Sequence, residues 1–210
     1  MTSRQPSTLD QAIILSILRK EAGVSGARLP TGFDRWAERI EGHPDGYAFA
    51  HEAILSGYAL PPSFNAWEVR CRDGDTVAHL AARRGYRFPN DFDGWGLANK
   101  DGDTVAHISA GGCLVLPPIR EDILGLRNAQ GRTVAHELAK SYTYPPALAV
   151  GRCQEIPMTL LEQADAQGVR VIDVARKHCA LAIVAMYERR VLQERMTSPA
   201  PRSKITKGSL

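Results

Sequence analysis

One short phrase recurs along the chain at a nearly constant interval. It reads DGDTVAHLAA from Asp73, DGDTVAHISA from Asp101 and QGRTVAH from Gln130. Gly74 to Gly102 is 28 residues, and Gly102 to Gly131 is 29. Stepping back 28 from Gly74 reaches Gly46, in DGYAFAHEAILSG. His51, His79, His107 and His136 each lie five residues after their glycine. A fixed period of this size restricts the chain to architectures in which each unit is one supersecondary element stacked on its neighbours.

A second column keeps the same register. Trp67 and Trp95 each lie seven residues before a repeat glycine, and Leu124 takes that place before Gly131. Phe64 and Phe92 precede their tryptophans by three, each after an apolar-Pro step, LPPSFNAW from Leu60 and FPNDFDGW from Phe88. The first copy is LPTGFDRW from Leu29, with Phe33, Trp36 and three extra residues before Gly46. Each unit therefore reads as turn, short helix, Gly break, apolar-Pro step, second short helix, turn. In the second unit Thr76 is the expected N-cap, Val77 to Arg84 the helix and Gly85 its left-handed end. Helices this short do not hold alone in water and need neighbours on both sides.

These residues resemble the ankyrin repeat, whose signature is G-x-T-P-L-H-x-A-A. The match lies at Gly74, Thr76, His79, Ala81 and Ala82, then at Gly102, Thr104, His107 and Ala110, then at Gly131, Thr133, His136 and Ala139. It covers about residues 44–145 directly. The departures are specific. Val77, Val105 and Val134 stand where the family has Pro, Ala78, Ala106 and Ala135 where it has Leu, and Ala48 where it has Thr. The interval is also shorter than the family's. The resemblance implies an all-α chain: a short α-solenoid of ankyrin-like helix-turn-helix repeats with helical caps and trimmed fingers.

The expected organisation is an N-terminal capping helix and partial repeat over 1–43, repeats over 44–150, a helical cap over 151–197 and a basic, disordered tail over 198–210. The first cap is a helix from about Thr8 to Glu21. The second is a helix near 158–164, a turn at Gly168 and one long helix from about Val171 to Met196. Ile172, Ala175, Cys179, Ile183 and Met186 approximate a single apolar stripe along it.

Charge argues against a nucleic-acid protein. The formal net charge is +3, and the tail alone carries Arg202, Lys204 and Lys207 with no acid, so residues 1–197 sum to zero. No apolar run approaches the roughly 18 residues of a membrane span. Cys71, Cys113, Cys153 and Cys179 form no C-x-x-C pair, which fits reduced thiols in the cytoplasm. Delivery into a host cell stays open. Arginine outnumbers lysine 20 to 6, which points to a GC-rich, bacterial coding sequence.

The histidines invite a metal or catalytic reading, and their periodicity argues against it. One His per unit spaces successive rings by about 10 Å, as helix packing does, whereas zinc ligands sit at about 2 Å. If Thr76 is the N-cap, His79 is the third helical residue, placed to reach back to the cap as in a capping box. DGDT lacks the ligand series and terminal Glu of an EF-hand. No G-x-S-x-G, Walker, G-x-G-x-x-G or H-E-x-x-H motif occurs, so no cofactor, metal or catalytic residue is expected. The Phe/Trp column reads as core.

What differs between units then becomes the candidate site. In units of this kind the residue after His and the pair after Ala-Ala face the concave surface, as the resemblance implies. Here these include Glu52, Leu80, Ile108 and Glu137, then Arg83, Arg84 and Lys140, with Tyr47, Asp75, Asp103 and Arg132 at the turn tips. Because Glu and Leu/Ile alternate at one place, that place is expected to be exposed. The expectation is a non-enzymatic protein–protein interaction module whose partner and oligomeric state are open. The alternatives are an enzyme or enzyme inhibitor using the irregular segment 140–170, or a nucleic-acid-associated protein using the basic tail.

Overall fold

The computed structural model describes residues 8–19, 28–30, 32–112, 120–141, 156–178 and 180–197. Among these the protein is all-helical, with no strand longer than a single bridge. The helices are α1 Thr8–Arg19, α2 Phe49–Leu55, α3 Val77–Arg83, α4 Val105–Gly112, α5 Glu121–Leu124, α6 Val134–Ser141, α7 Met158–Leu161, α8 Val171–Lys177 and α9 Leu181–Thr197. They pack as a ladder: α1 on α2, α2 on α3, α3 on α4, α4 on α6, α6 on α8 and α8 on α9. The tail 198–210, Cys113, Cys153, Cys179 and residues 142–155 of the irregular segment lie outside the described residues.

Each unit opens with the same turn. An isolated antiparallel bridge closes it in five places, Arg39 with Ala48, Arg70 with Thr76, Ala98 with Thr104, Arg127 with Thr133 and Ala164 with Arg170. The fifth is a repeat that the expected boundary had placed in the C-terminal cap. Its sequence echo is Asp165-Ala166-Gln167-Gly168 beside Asn128-Ala129-Gln130-Gly131. The Thr/His pair is replaced there by Arg170 and Asp173, and the Asp173 carboxylate accepts the Arg170 N–H at 3.4 Å. A carboxylate thus caps α8 from the third helical position, where imidazole caps the others.

The turn glycines meet two demands at once. Gly102 has φ +76°, and a Cβ there would stand 2.6 Å from the Ala129 nitrogen of the next turn. Gly131 has φ +73° and would meet the Ala166 nitrogen at 2.9 Å. A side chain is disfavoured both by the left-handed backbone and by the neighbouring unit. That closeness lets turn bond to turn: the Ala166 N–H donates to the Gln130 carbonyl at 3.1 Å, and the Arg72 N–H to Asp45 at 2.8 Å.

Val77, Val105, Val134 and Val171 are wholly buried, as are Ala78, Ala106, Ala135 and Ile172 after them. The valine N–H groups are also used. Val77 donates to Val69 at 2.9 Å, Val105 to Leu97 at 3.0 Å, Val134 to Leu126 at 3.2 Å and Val171 to Gln163 at 3.1 Å. Proline, which carries no N–H, would forfeit each of these bonds. This gives a physical reason for the valines standing where the signature has proline.

Two expectations about helices are corrected. The second helix of each unit shrinks to a three-residue 3-10 turn at Arg35–Ala37 and Gly94–Gly96, a turn at Trp67, and four-residue helices at α5 and α7. Within each of the first three units the aromatic pair meets edge to face across this short turn, Phe33 and Trp36 at 4.8 Å, Phe64 and Trp67 at 4.6 Å, and Phe92 and Trp95 at 5.2 Å. The expected long helix is likewise two, broken between Lys177 and Leu181. The Ala180 N–H closes on the Ala175 carbonyl at 2.8 Å, as Tyr58 does on Ala53 and Tyr86 on Ala81. The break follows because α8 ends like the other first helices, and it seats Ala180 in the core.

Candidate functional site

The histidines come first, because they carry the most reactive chemistry in the repeat. His79 is buried. Its Nδ1 accepts the Thr76 N–H at 3.1 Å and lies 2.8 Å from the Thr76 hydroxyl. Its Nε2 lies 3.0 Å from the Asp103 carbonyl in the following unit. A carbonyl only accepts, so Nε2 carries the proton and Nδ1 is the acceptor. His107 repeats this with Thr104 and the Arg132 carbonyl, and His136 with Thr133 and the Val169 carbonyl, each Nε2 again at 3.0 Å. His51 caps Ala48 in the same way, while its buried Nε2 makes no hydrogen bond among the described residues.

Burial dominates the titration of all four rings. It pushes His51 down to about 4, assisted by the Arg39 charge. His79, His107 and His136 are also lowered by burial, which outweighs the carbonyl bonds that favour the charged form. The rings stand in separate interfaces, and no group of three His, Cys, Asp or Glu able to hold a metal ion occurs among the described residues. His43 occupies the first unit's turn instead, where its Nδ1 accepts the Asp45 N–H at 3.2 Å.

A second cross-unit device was not anticipated from the sequence. The Asn99 side-chain oxygen accepts from the Asp101 and Asp103 N–H groups, and its Nδ2 donates to the Asp75 carboxylate at 2.8 Å. Asn128 does the same one unit later, with Nδ2 2.7 Å from the Asp103 carboxylate. The available signal was Asn or Asp three residues before the glycine, at 99, 128 and 165.

The candidate residues separate into two groups on this frame. Glu52 is buried rather than exposed, and its carboxylate pairs with Arg19 of α1 at 2.6 Å. The inference that a position alternating between Glu and Leu must be exposed therefore fails there. The capping helix supplies a cation, and a paired carboxylate can be buried. Tyr47 is half-buried, stacked between the rings of His43 and His51 at 4.6 and 5.0 Å. Asp75 is also half-buried: burial raises its carboxyl, but bonds from Arg83 and Asn99 outweigh this and hold it below the usual range. These three residues serve the stack more than an outside partner.

The others converge. Arg83, Asp103, Ile108, Arg132 and Glu137, five of the candidates, line a shallow cavity of about 330 Å³ with His107, Gly111 and Gly112. Ile108 lies half-buried on its floor. Arg132 pairs with Glu137 at 3.2 Å, and its buried Nε has no hydrogen-bond partner among the described residues. Gly111 and Gly112 are exposed, and nothing stands within 4 Å of where a Gly112 Cβ would be. Leu80 lies half-buried one unit before Ile108, Arg84 is exposed beside Arg83, and Lys140 is exposed one unit after Gly111.

No family model matches the chain, and no curated protein matches it. Among solved structures, the chain is similar to one from a complex described as a predatory endopeptidase from Bdellovibrio bacteriovorus with an immunity protein. The identity is 15%, with 89% of this chain and 100% of that chain covered and a TM-score of 0.49.

Proposed function

We propose that the chain is a non-enzymatic protein–protein interaction module, an ankyrin-like stack that presents the concave face of its first helices to another protein. One observation carries this reading. The residues that repeat are consumed by the stack, whereas Arg83, Ile108, Arg132 and Glu137, which vary from unit to unit, meet around one open cavity beside Asp103, whose carboxylate Asn128 holds. A half-buried apolar floor ringed by paired charges has the layout of an interface centre with a polar rim. Extended faces of this kind are what stacked repeats offer to partners.

The test is capture of a partner from the native host with the wild-type chain as bait, repeated with a Leu80→Glu, Ile108→Glu double variant. Loss of the partner, with helicity and melting kept near wild type, supports the reading. A folded double variant that retains the partner overturns it and moves attention to the segment 140–170.

A further inference from the structure

The last turns of the first helices form one row across the stack, since equivalent positions of stacked units fall side by side. Running from α2 to α8, the row reads Leu55-Ser56, Arg83-Arg84, Gly111-Gly112, Lys140-Ser141 and Lys177-His178. It holds four cations and no acid, although residues 1–197 sum to zero charge. A cation at a helix C-terminus complements that helix's own dipole. The dipole explains each residue alone and leaves the missing acids unexplained. All four cations are exposed. Arg83 is engaged by Asp75, while Arg84 and Lys177 have no carboxylate partner among the described residues.

The row is interrupted at its centre. Gly111 and Gly112 put bare backbone where the adjacent units carry Arg83-Arg84 and Lys140-Ser141, and this gap opens onto the cavity floored by Ile108. Of the two carboxylates at that cavity, Glu137 is paired with Arg132, and Asp103 is held by the neutral amide of Asn128. The notch is lined by two cations and two carboxylates, and the cations of the row, Arg84, Lys140 and Lys177, flank it in the units on either side.

We infer that the partner is an acidic protein segment that sets one large apolar side chain into the notch over Gly112 and lays carboxylates along Arg84 and Lys177. This deepens the reading above and rests on it. Nucleic acid would match the cations, but gains nothing from an apolar notch, since its outward surface is phosphate.

The experiment selects phage-displayed random peptides on the immobilised full chain, then measures the recovered peptides by fluorescence anisotropy alongside a duplex DNA probe. The expected result is enrichment of Asp and Glu around one large apolar residue. Affinity should then fall by about tenfold or more, a loss of about 1.4 kcal/mol, in Gly112→Leu and in the Arg84→Glu, Lys177→Glu variant. Gly112→Leu adds its side chain to open space, so circular dichroism should stay unchanged. Neutral or basic peptides, no enrichment, equal binding to Gly112→Leu, or tighter binding of the DNA would each overturn the inference. If the native partner is lost from the Leu80→Glu, Ile108→Glu variant but kept by Gly112→Leu, this inference fails and the interaction face stands. If both variants keep it, the face itself fails.

Discussion

His79 Nε2 donates to the main-chain carbonyl of Asp103 at 3.0 Å, and so ties the helix cap of one unit to the turn of the next. One imidazole closes its own helix through Nδ1 and crosses the interface through Nε2. Local and long-range order therefore depend on the same ring in the same protonation state.

Replacing His79 or His107 with Ala should lower stability by about 1–3 kcal/mol, the cost of leaving buried polar groups unpaired. The orphaned groups are the Thr N–H of the cap and the carbonyl across the interface. Urea unfolding measures the loss. If the role is structural, EDTA or added zinc leaves the wild-type midpoint unmoved; a large shift with chelator contradicts that role.

Acid should loosen the stack. The four rings have pKa values depressed by burial, His51 to about 4 from 6.5. Below pH 6.5 the unfolded chain binds protons that the folded chain refuses. Stability is thus full above about pH 6.5 and falls below it, for His51 by up to about 1.4 kcal/mol per pH unit until about pH 4, with the other three rings acting in the same direction. Urea midpoints across this range should show the decline, and His51→Gln should flatten it. A midpoint constant from pH 7 to pH 5 contradicts the burial described above.

Val105→Pro should destabilise the chain by about 1–3 kcal/mol, although proline is well tolerated in a first helical turn. The loss is the 3.0 Å bond from the Val105 N–H to Leu97, whose carbonyl is left without its donor. An unchanged or raised melting temperature would mean that the valine is incidental.

Two glycines should respond to alanine in opposite directions. Gly102→Ala forces a Cβ into a left-handed backbone at 2.6 Å from the next turn, at a cost of about 1–2 kcal/mol for the backbone alone. Gly112→Ala meets nothing within 4 Å in an ordinary helical position and should be neutral or stabilising by up to about 1 kcal/mol. Equal effects on melting at the two sites would contradict the assigned turn geometry.

The sequence by itself determined the unit. Glycine, Thr, His and the Phe/Trp pair act within a few residues or at one fixed interval, so their spacing exposes the period, the caps and the structural role of the rings. Even there, length misled: Phe-x-x-Trp reads as a helix face, yet one turn closes too few hydrogen bonds to sustain α geometry. The fifth unit was harder to see, because Arg170 and Asp173 perform the capping with other residue types. Only the tertiary structure decided which variable residues are free. Glu52 differs from Leu80 because Arg19 reaches it across 33 positions, and Asp75 and Asp103 are claimed by asparagines 24 and 25 residues away. Such pairings depend on which unit lies against which. A sequence shows the charge at a position but not the partner that the stack brings to it.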